Sequence, residues 1–216
     1  MGRTLAAWLL VGSALAATAA APGSPREVVE SAVMRVMSEL QDANVRATEQ
    51  PHRLAVRRRD EITRIAADLF DFEEVARLTL PRDWAVRTPE ERAGFVQLFT
   101  QLLQRTYIRK LESYSGERIM FLGATVDGSY ATVRSKVISR RRRSETPVDY
   151  QLSLKDDHWR VYDVRIDGVS FVSTYRTEFS RVIQRSSYES LVEMLRQRLS
   201  DDGTRRGASA SSHTTR

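Results

Sequence analysis

The chain has 216 residues, 41% hydrophobic and 29% charged, the balance of a single globular domain. It contains no cysteine, which excludes a disulfide framework, a thiolate zinc site, a cysteine nucleophile and a lipidated N-terminal cysteine. A formal net charge of +6 points to an anionic partner, either nucleic acid or an acidic membrane surface.

The N-terminus bears on that choice. Arg3 precedes an apolar run from Leu5 to Val11 that continues through small residues to Ala21, with Ala17-Thr18-Ala19 as a cleavage site. This pattern reads as a secretory signal peptide over residues 1–20. The other reading is an uncleaved anchor, but the apolar core is shorter and richer in alanine than the roughly 20 strongly apolar residues of a spanning helix. An exported, cysteine-free chain fits a bacterial periplasm, where nucleic acid is an unexpected partner.

Ser24-Pro25-Arg26-Glu27 is a capping box with proline at the first helical position. Val28, Val29, Ala32, Val33, Val36, Met37 and Leu40 then line a first helix. A second opens at Pro51, with Leu54, Ile62, Ile65, Ala66 and Leu69 as its apolar face. A short third runs from Asp71-Phe72 until Pro81 stops it. Thr88-Pro89-Glu90-Glu91 is another capping box. The helix it opens carries Phe95, Leu98, Phe99, Leu102, Leu103 and Tyr107 at three- and four-residue steps. Ile108 and Leu111 make that stripe wider than a lone surface helix needs.

From Ser115 the period becomes two. Strands are expected over Arg118–Leu122, over the alternation Ala131, Val133, Ser135, Val137, and over Val148, Tyr150, Leu152, Leu154. Asp127-Gly128 marks one hairpin turn and Arg140–Ser144 another. Pro147 is tolerable at a strand's first residue. Trp159 to Val164 gives a further strand, Gly168 breaks it, and helical spacing resumes at Val169, Val172, Tyr175, Phe179, Val182 and Ile183. Tyr188–Leu199 is a last helix. Helices, then an antiparallel meander, then helices describe one α+β domain over residues 24–200, followed by a polar tail over 201–216 expected to be disordered. A curved sheet of about four strands, covered by helices on one face, has room for an apolar pocket between the layers.

The catalytic inventory is thin. His52, His158 and His213 show no metal-ligand spacing, and no nucleophile elbow or phosphate-binding loop is present. Glu73-Glu74 and Asp156-Asp157 suit solvated faces and turns. Asp163 is the acid of interest. Facing a partly apolar cavity it could act as a general base beside Tyr162; otherwise it is a buried structural acceptor, to backbone or to Arg176. The stripe on the Thr88–Leu111 helix is expected to face an apolar sheet row, lining a pocket or closing an ordinary core.

The segment Trp159 to Ile183, WRVYDVRIDGVSFVSTYRTEFSRVI, resembles the closing strand and following helix of the MlaC or toluene-tolerance auxiliary family of periplasmic phospholipid-binding proteins. The residues that carry the likeness are Trp159, Tyr162, Asp163, Val164, Gly168, Val169, Ser170, Tyr175, Arg176 and Phe179. Asp71-Phe72 through Ala76-Arg77 resembles another family segment, as does the series Leu80, Trp84, Thr88, Phe95, Phe99, Leu102 and Tyr107. Pro81 stands where the family usually has glycine, and Thr174 and Glu178 where asparagine and glutamine are common.

The resemblance implies a fold similar to nuclear transport factor 2-like domains. It implies a non-enzymatic, monomeric shuttle, without cofactor, that carries glycerophospholipid across the periplasm to maintain outer-membrane lipid asymmetry. Its implied partners are an outer-membrane lipoprotein complex and an inner-membrane ABC transporter bearing a mammalian-cell-entry-type domain. The lipid lining expected from the long helix is Phe95, Leu98, Phe99, Leu102, Leu103 and Tyr107. From the sheet it is Val133, Val137, Tyr150, Leu152 and Val161. Arg140, Arg141, Arg142 and Arg143 form either a solvated turn or a docking patch for a partner or anionic headgroups. The alternative function is an enzyme or small-ligand binder on the same fold, with Asp163 as its acid/base group.

Overall fold

Two of the helices begin as their capping boxes dictate. In the computed structural model, Ser24 Oγ accepts the Glu27 N–H at 3.2 Å and the Ser24 N–H donates to the Glu27 carboxylate at 3.0 Å, opening α1 (Pro25–Val45). The same reciprocal pair, Thr88 with Glu91 at 3.2 and 2.8 Å, opens α4 (Pro89–Glu112). Between them lie α2 (Pro51–Leu69) and α3 (Phe72–Thr79), the latter capped by Asp71, whose carboxylate accepts the Glu74 N–H at 3.0 Å. The residues described are 23–45, 51–112, 116–139, 141 and 143–211. The expected signal peptide lies outside them, as do Arg140 and Arg142.

The sheet comprises β1 (Arg118–Asp127), β2 (Tyr130–Ser139), β3 (Ser144–Lys155), β4 (His158–Ile166) and β5 (Val169–Ser170), antiparallel in chain order. The first hairpin turns at Gly128-Ser129, one residue past the expected Asp127-Gly128, and Ser144, expected in the second turn, already opens β3. The fifth strand was not expected. Asp167 and Gly168 take φ values of 50° and 77°, and this left-handed pair folds Val169 back onto Ile166 before α5 (Phe171–Arg185) begins. Pro147 sits inside β3 rather than at its start. Its carbonyl accepts the Asp167 N–H at 3.1 Å, so its missing N–H lies on the side where β4 has already ended. The last helix, α6 (Tyr188–Ser211), continues beyond Asp201, where a tail was expected. No apolar residue larger than alanine follows Leu199, so the sequence offers no packing signal for those turns.

Apolar packing divides into two cores, and here one expectation is corrected. The stripe on α4 does not meet the sheet row. Phe95, Phe99, Leu102 and Leu103 are buried against α3, α5 and α6, with Val75, Leu80, Val172, Phe179, Leu191 and Leu195. The sheet row Ala131, Val133, Leu152, Trp159 and Val161 is buried instead against Val29 and Ala32 of α1 and Ile65 and Leu69 of α2. The reason lies in the α1–α2 hairpin, which carries its own apolar face and occupies the sheet. The units touch through β4: Asp71 N–H donates to the Val161 carbonyl at 3.0 Å, and Phe70 and Phe72 stack at 5.6 Å.

Candidate functional site

The helical core is aromatic and closed. Phe179 is fully buried, edge-on to Phe95 at 5.8 Å and to Phe99 at 5.1 Å. Leu98 and Tyr107 sit half-buried on the edge of this core. Tyr107 packs on Phe171 at 5.3 Å, and Phe171 on Tyr175 at 4.8 Å. Burial pushes both tyrosine hydroxyls up, that of Tyr175 strongly; the hydrogen bond between them opposes the rise at Tyr107 and adds to it at Tyr175. The pair therefore offers neutral hydroxyls, not charge.

The inner face of the sheet is different. Val133, Leu152 and Val161 are buried beneath α1 and α2, while Tyr150 and Val164 are half-buried at the margin. Val137 is half-buried further along β2 and belongs to neither core. The row is interrupted by buried Ser135, whose hydroxyl donates to the Val148 carbonyl at 2.9 Å. Burial pushes the neighbouring Tyr150 hydroxyl up to about 12, against the opposing effect of a hydrogen bond with Ser135. The eleven residues expected to line one surface thus fall on two surfaces, six on the helical side and five on the sheet.

The Tyr150 shift has a measurable consequence. A phenol whose folded pKa exceeds its unfolded value near 10 binds more protons when folded, so its contribution is full below pH 10 and is lost as pH rises toward 12. Tyr150→Phe should therefore show a shallower loss of stability between pH 10 and 12 in denaturant titrations than the parent protein. An unchanged slope would mean that the hydroxyl is solvated.

A seam between α1 and α2 reaches the sheet-side core. It is a groove of about 340 Å³ lined by Glu27, Val28, Ser31, Ala32, Arg35, Ile65, Asp68 and Leu69; Ala32, Ile65 and Leu69 are themselves core residues. A larger groove of about 690 Å³ further along the same pair is lined by Glu39, Arg53, Val56, Arg57, Asp60, Glu61 and Arg64 and is mostly charged. Neither is lined by the eleven residues expected from the sequence to contact lipid. The seam was missed because helical periodicity marks a buried face and gives no sign of where two such faces part.

Asp163 is buried, and its carboxylate accepts the Ser170 hydroxyl at 2.6 Å and the Val172 N–H at 2.9 Å. Both donors belong to the start of α5, so the acid ties β4 to that helix. Arg176, the other partner considered for it, donates instead to the Leu78 carbonyl at 2.9 Å. Tyr162 faces the opposite side of the sheet, edge-on to Tyr130 at 6.3 Å. The acid–phenol pair needed by the enzymatic alternative is therefore not assembled. Among the described residues no cluster of three or more His, Cys, Asp or Glu could hold a metal, and no helix is long and apolar enough to cross a membrane.

Comparison with known proteins decides the family. The model of the MlaC protein family matches residues 30–197. The chain belongs to the MlaC family. Toluene tolerance protein ttg2D of Pseudomonas putida is 23% identical over 165 residues, 76% of this chain and 74% of that protein. The MlaC binding protein of the Haemophilus influenzae intermembrane phospholipid transport system is 20% identical over 203 residues, 90% of this chain and 91% of that one. The fold matches that of a phospholipid-binding protein from Ralstonia solanacearum, solved in complex with a phospholipid. Its TM-score is 0.70 at 24% identity, covering 84% of this chain and 99% of the other.

Proposed function

We propose that this MlaC-family protein binds a glycerophospholipid through its acyl chains and carries it across the periplasm. The observation that carries the reading is the family match over residues 30–197, which takes in most of both cores and most of the α1–α2 seam. The relatives' names supply the ligand class: one is a binding protein of a phospholipid transport system, and the structural neighbour holds a phospholipid. The outer- and inner-membrane complexes implied by the resemblance are its donor and acceptor in this proposal, and maintenance of lipid asymmetry its purpose.

The physics of the cargo demands such a carrier. Two acyl chains hold roughly 30 methylenes at about 0.8 kcal/mol each, so exposing them to water costs on the order of 20 kcal/mol. Release then requires contact with a membrane or partner. Within this chain the sheet-side core is the proposed acyl site: the α1–α2 seam already opens onto it, whereas the helical core is filled by mutually packed aromatic rings. Val133, Tyr150, Leu152 and Val161 are the proposed contacts there, with Val137 a proposed contact further along β2, beyond that core. Leu98 and Tyr107, on the edge of the helical core, remain the members of the α4 set nearest a surface.

Transfer of labelled phospholipid from donor to acceptor vesicles tests carriage. The protein should accelerate transfer in proportion to its concentration; no acceleration would contradict the proposal. The same assay tests docking. Arg141 and Arg143 are exposed at the β2–β3 turn, Arg143 with a φ of 49°. Replacing both by Glu should leave folding unchanged and slow transfer to anionic vesicles, and the parent rate should fall with salt as exposed charges are screened. Equal rates for the two proteins would return this turn to a solvated loop.

A further inference from the structure

The first strand of the sheet is an open edge. β1 ends the strand order and, among the described residues, is paired only on its β2 side, leaving the backbone groups of its other side without a strand. It is long, and Met120, Leu122 and Val126 on it are 44, 57 and 53% exposed. Ala124, Thr125, Val126 and Asp127 are all exposed in succession, so neither sheet face is covered at that end. Proteins usually blunt such an edge with charge or proline along its length. Here the only charges on β1 are at its two ends, Arg118 and Asp127. Among the described residues neither side chain has an ion pair or hydrogen-bond partner.

We infer that β1 pairs antiparallel with β1 of a second copy of this chain, about a two-fold axis between Leu122 and Gly123. The register is set by the bulge. Leu122 is the extra residue between the partners of Phe121 and Gly123. Pairing with β2 places Arg118, Met120, Gly123, Thr125 and Asp127 on the outer face, and Ile119, Phe121, Ala124 and Val126 on the inner face. Without the bulge, a strand of even length folded onto itself end to end would oppose inner with outer residues. With it, every pair agrees: Ile119 meets the partner's Val126 and Phe121 the partner's Ala124 on the inner face, while Met120 meets the partner's Thr125 on the outer. Arg118 then lies opposite the partner's Asp127, and by symmetry the reverse, giving two interchain ion pairs from side chains that have no partner among the described residues. Charge complementarity thus selects the occupant. An unrelated strand has no reason to carry opposite charges at this spacing, and the chain itself does. The contact joins two five-stranded sheets into one and stands against the monomer expected from family resemblance.

Sedimentation velocity across the micromolar to millimolar range tests it, using the purified protein and charge-swapped variants. The parent should show a concentration-dependent monomer–dimer equilibrium. Arg118→Asp alone and Asp127→Arg alone should each weaken the dimer by about tenfold or more, because both symmetric pairs become repulsive. The double swap should bring dimerisation back to within about threefold of the parent, which a merely structural role for either residue would not do. Amide hydrogen exchange gives an independent reading: protection over residues 118–127 should appear on concentration and vanish on dilution. A protein that is monomeric throughout, or a dimer indifferent to both single reversals, would overturn the inference. So would a double swap that fails to restore association.

Discussion

Phe179→Ala is expected to destabilise the protein by about 3–5 kcal/mol, the largest effect of any single substitution considered, because a fully buried ring is removed from a core that cannot refill the space. The ring is 0% exposed and sits edge-on to both Phe95 and Phe99, which themselves stack at 5.7 Å. A cavity there leaves two further rings with contacts on one side only. Chemical denaturation followed by tryptophan fluorescence reads the loss. Lipid bound per folded molecule should be unchanged, since Phe179 lies in the helical core and not beneath the α1–α2 seam. Val137→Trp should do the opposite. Its side chain is half-buried at the sheet margin and belongs to neither core, so added bulk costs little stability and takes space from an acyl chain. Leu102→Trp, in the sealed core, should instead overpack it by about 1–3 kcal/mol. If Phe179→Ala empties the protein of lipid while Val137→Trp leaves it loaded, the acyl site has been placed on the wrong side of the molecule.

Asp163→Ala should cost on the order of 3 kcal/mol, since it leaves the buried Val172 N–H unpaired and removes the acceptor of the Ser170 hydroxyl. Ser170 is itself the N-cap of α5, accepting the Ser173 N–H at 3.0 Å, so a single loss loosens the whole helix start. Asp163→Asn keeps one acceptor for Val172 and should lose less, about 1 kcal/mol. Both variants should retain vesicle-to-vesicle transfer in proportion to the folded fraction. A fully folded Asp163→Asn protein that had lost its activity outright would point instead to a catalytic carboxylate.

The features legible in the sequence were those fixed by neighbours along the chain. Ser24 with Glu27 and Thr88 with Glu91 announce helix starts because both members of each cap lie within one turn. Asp127-Gly128 announces a hairpin because the turn itself demands left-handed backbone. What was not legible depends on contacts between distant segments. The stripe Phe95–Tyr107 correctly marks a buried face, yet its period cannot say whether a sheet or three other helices bury it. The α1–α2 hairpin competes for the sheet with an equally apolar face, and that competition is decided only in three dimensions. The fifth strand escaped because two residues are too few to show alternation. Asp163 and Tyr162, considered together as a possible acid and phenol, stand next to each other on a strand, where neighbours take opposite faces. That geometry already argued against the pairing, and the bond from Asp163 to the α5 start replaces it.

Carriage depends on one property, bound phospholipid, and extraction measures it directly. The protein, purified without detergent from the periplasm of an expressing bacterium, is extracted with organic solvent, and the extract is analysed by mass spectrometry against the protein concentration. The account predicts intact glycerophospholipid at near-stoichiometric amounts, lower in Val137→Trp and unchanged per folded molecule in Phe179→Ala. A protein that is empty as isolated, and stays empty after incubation with phospholipid vesicles, would contradict it.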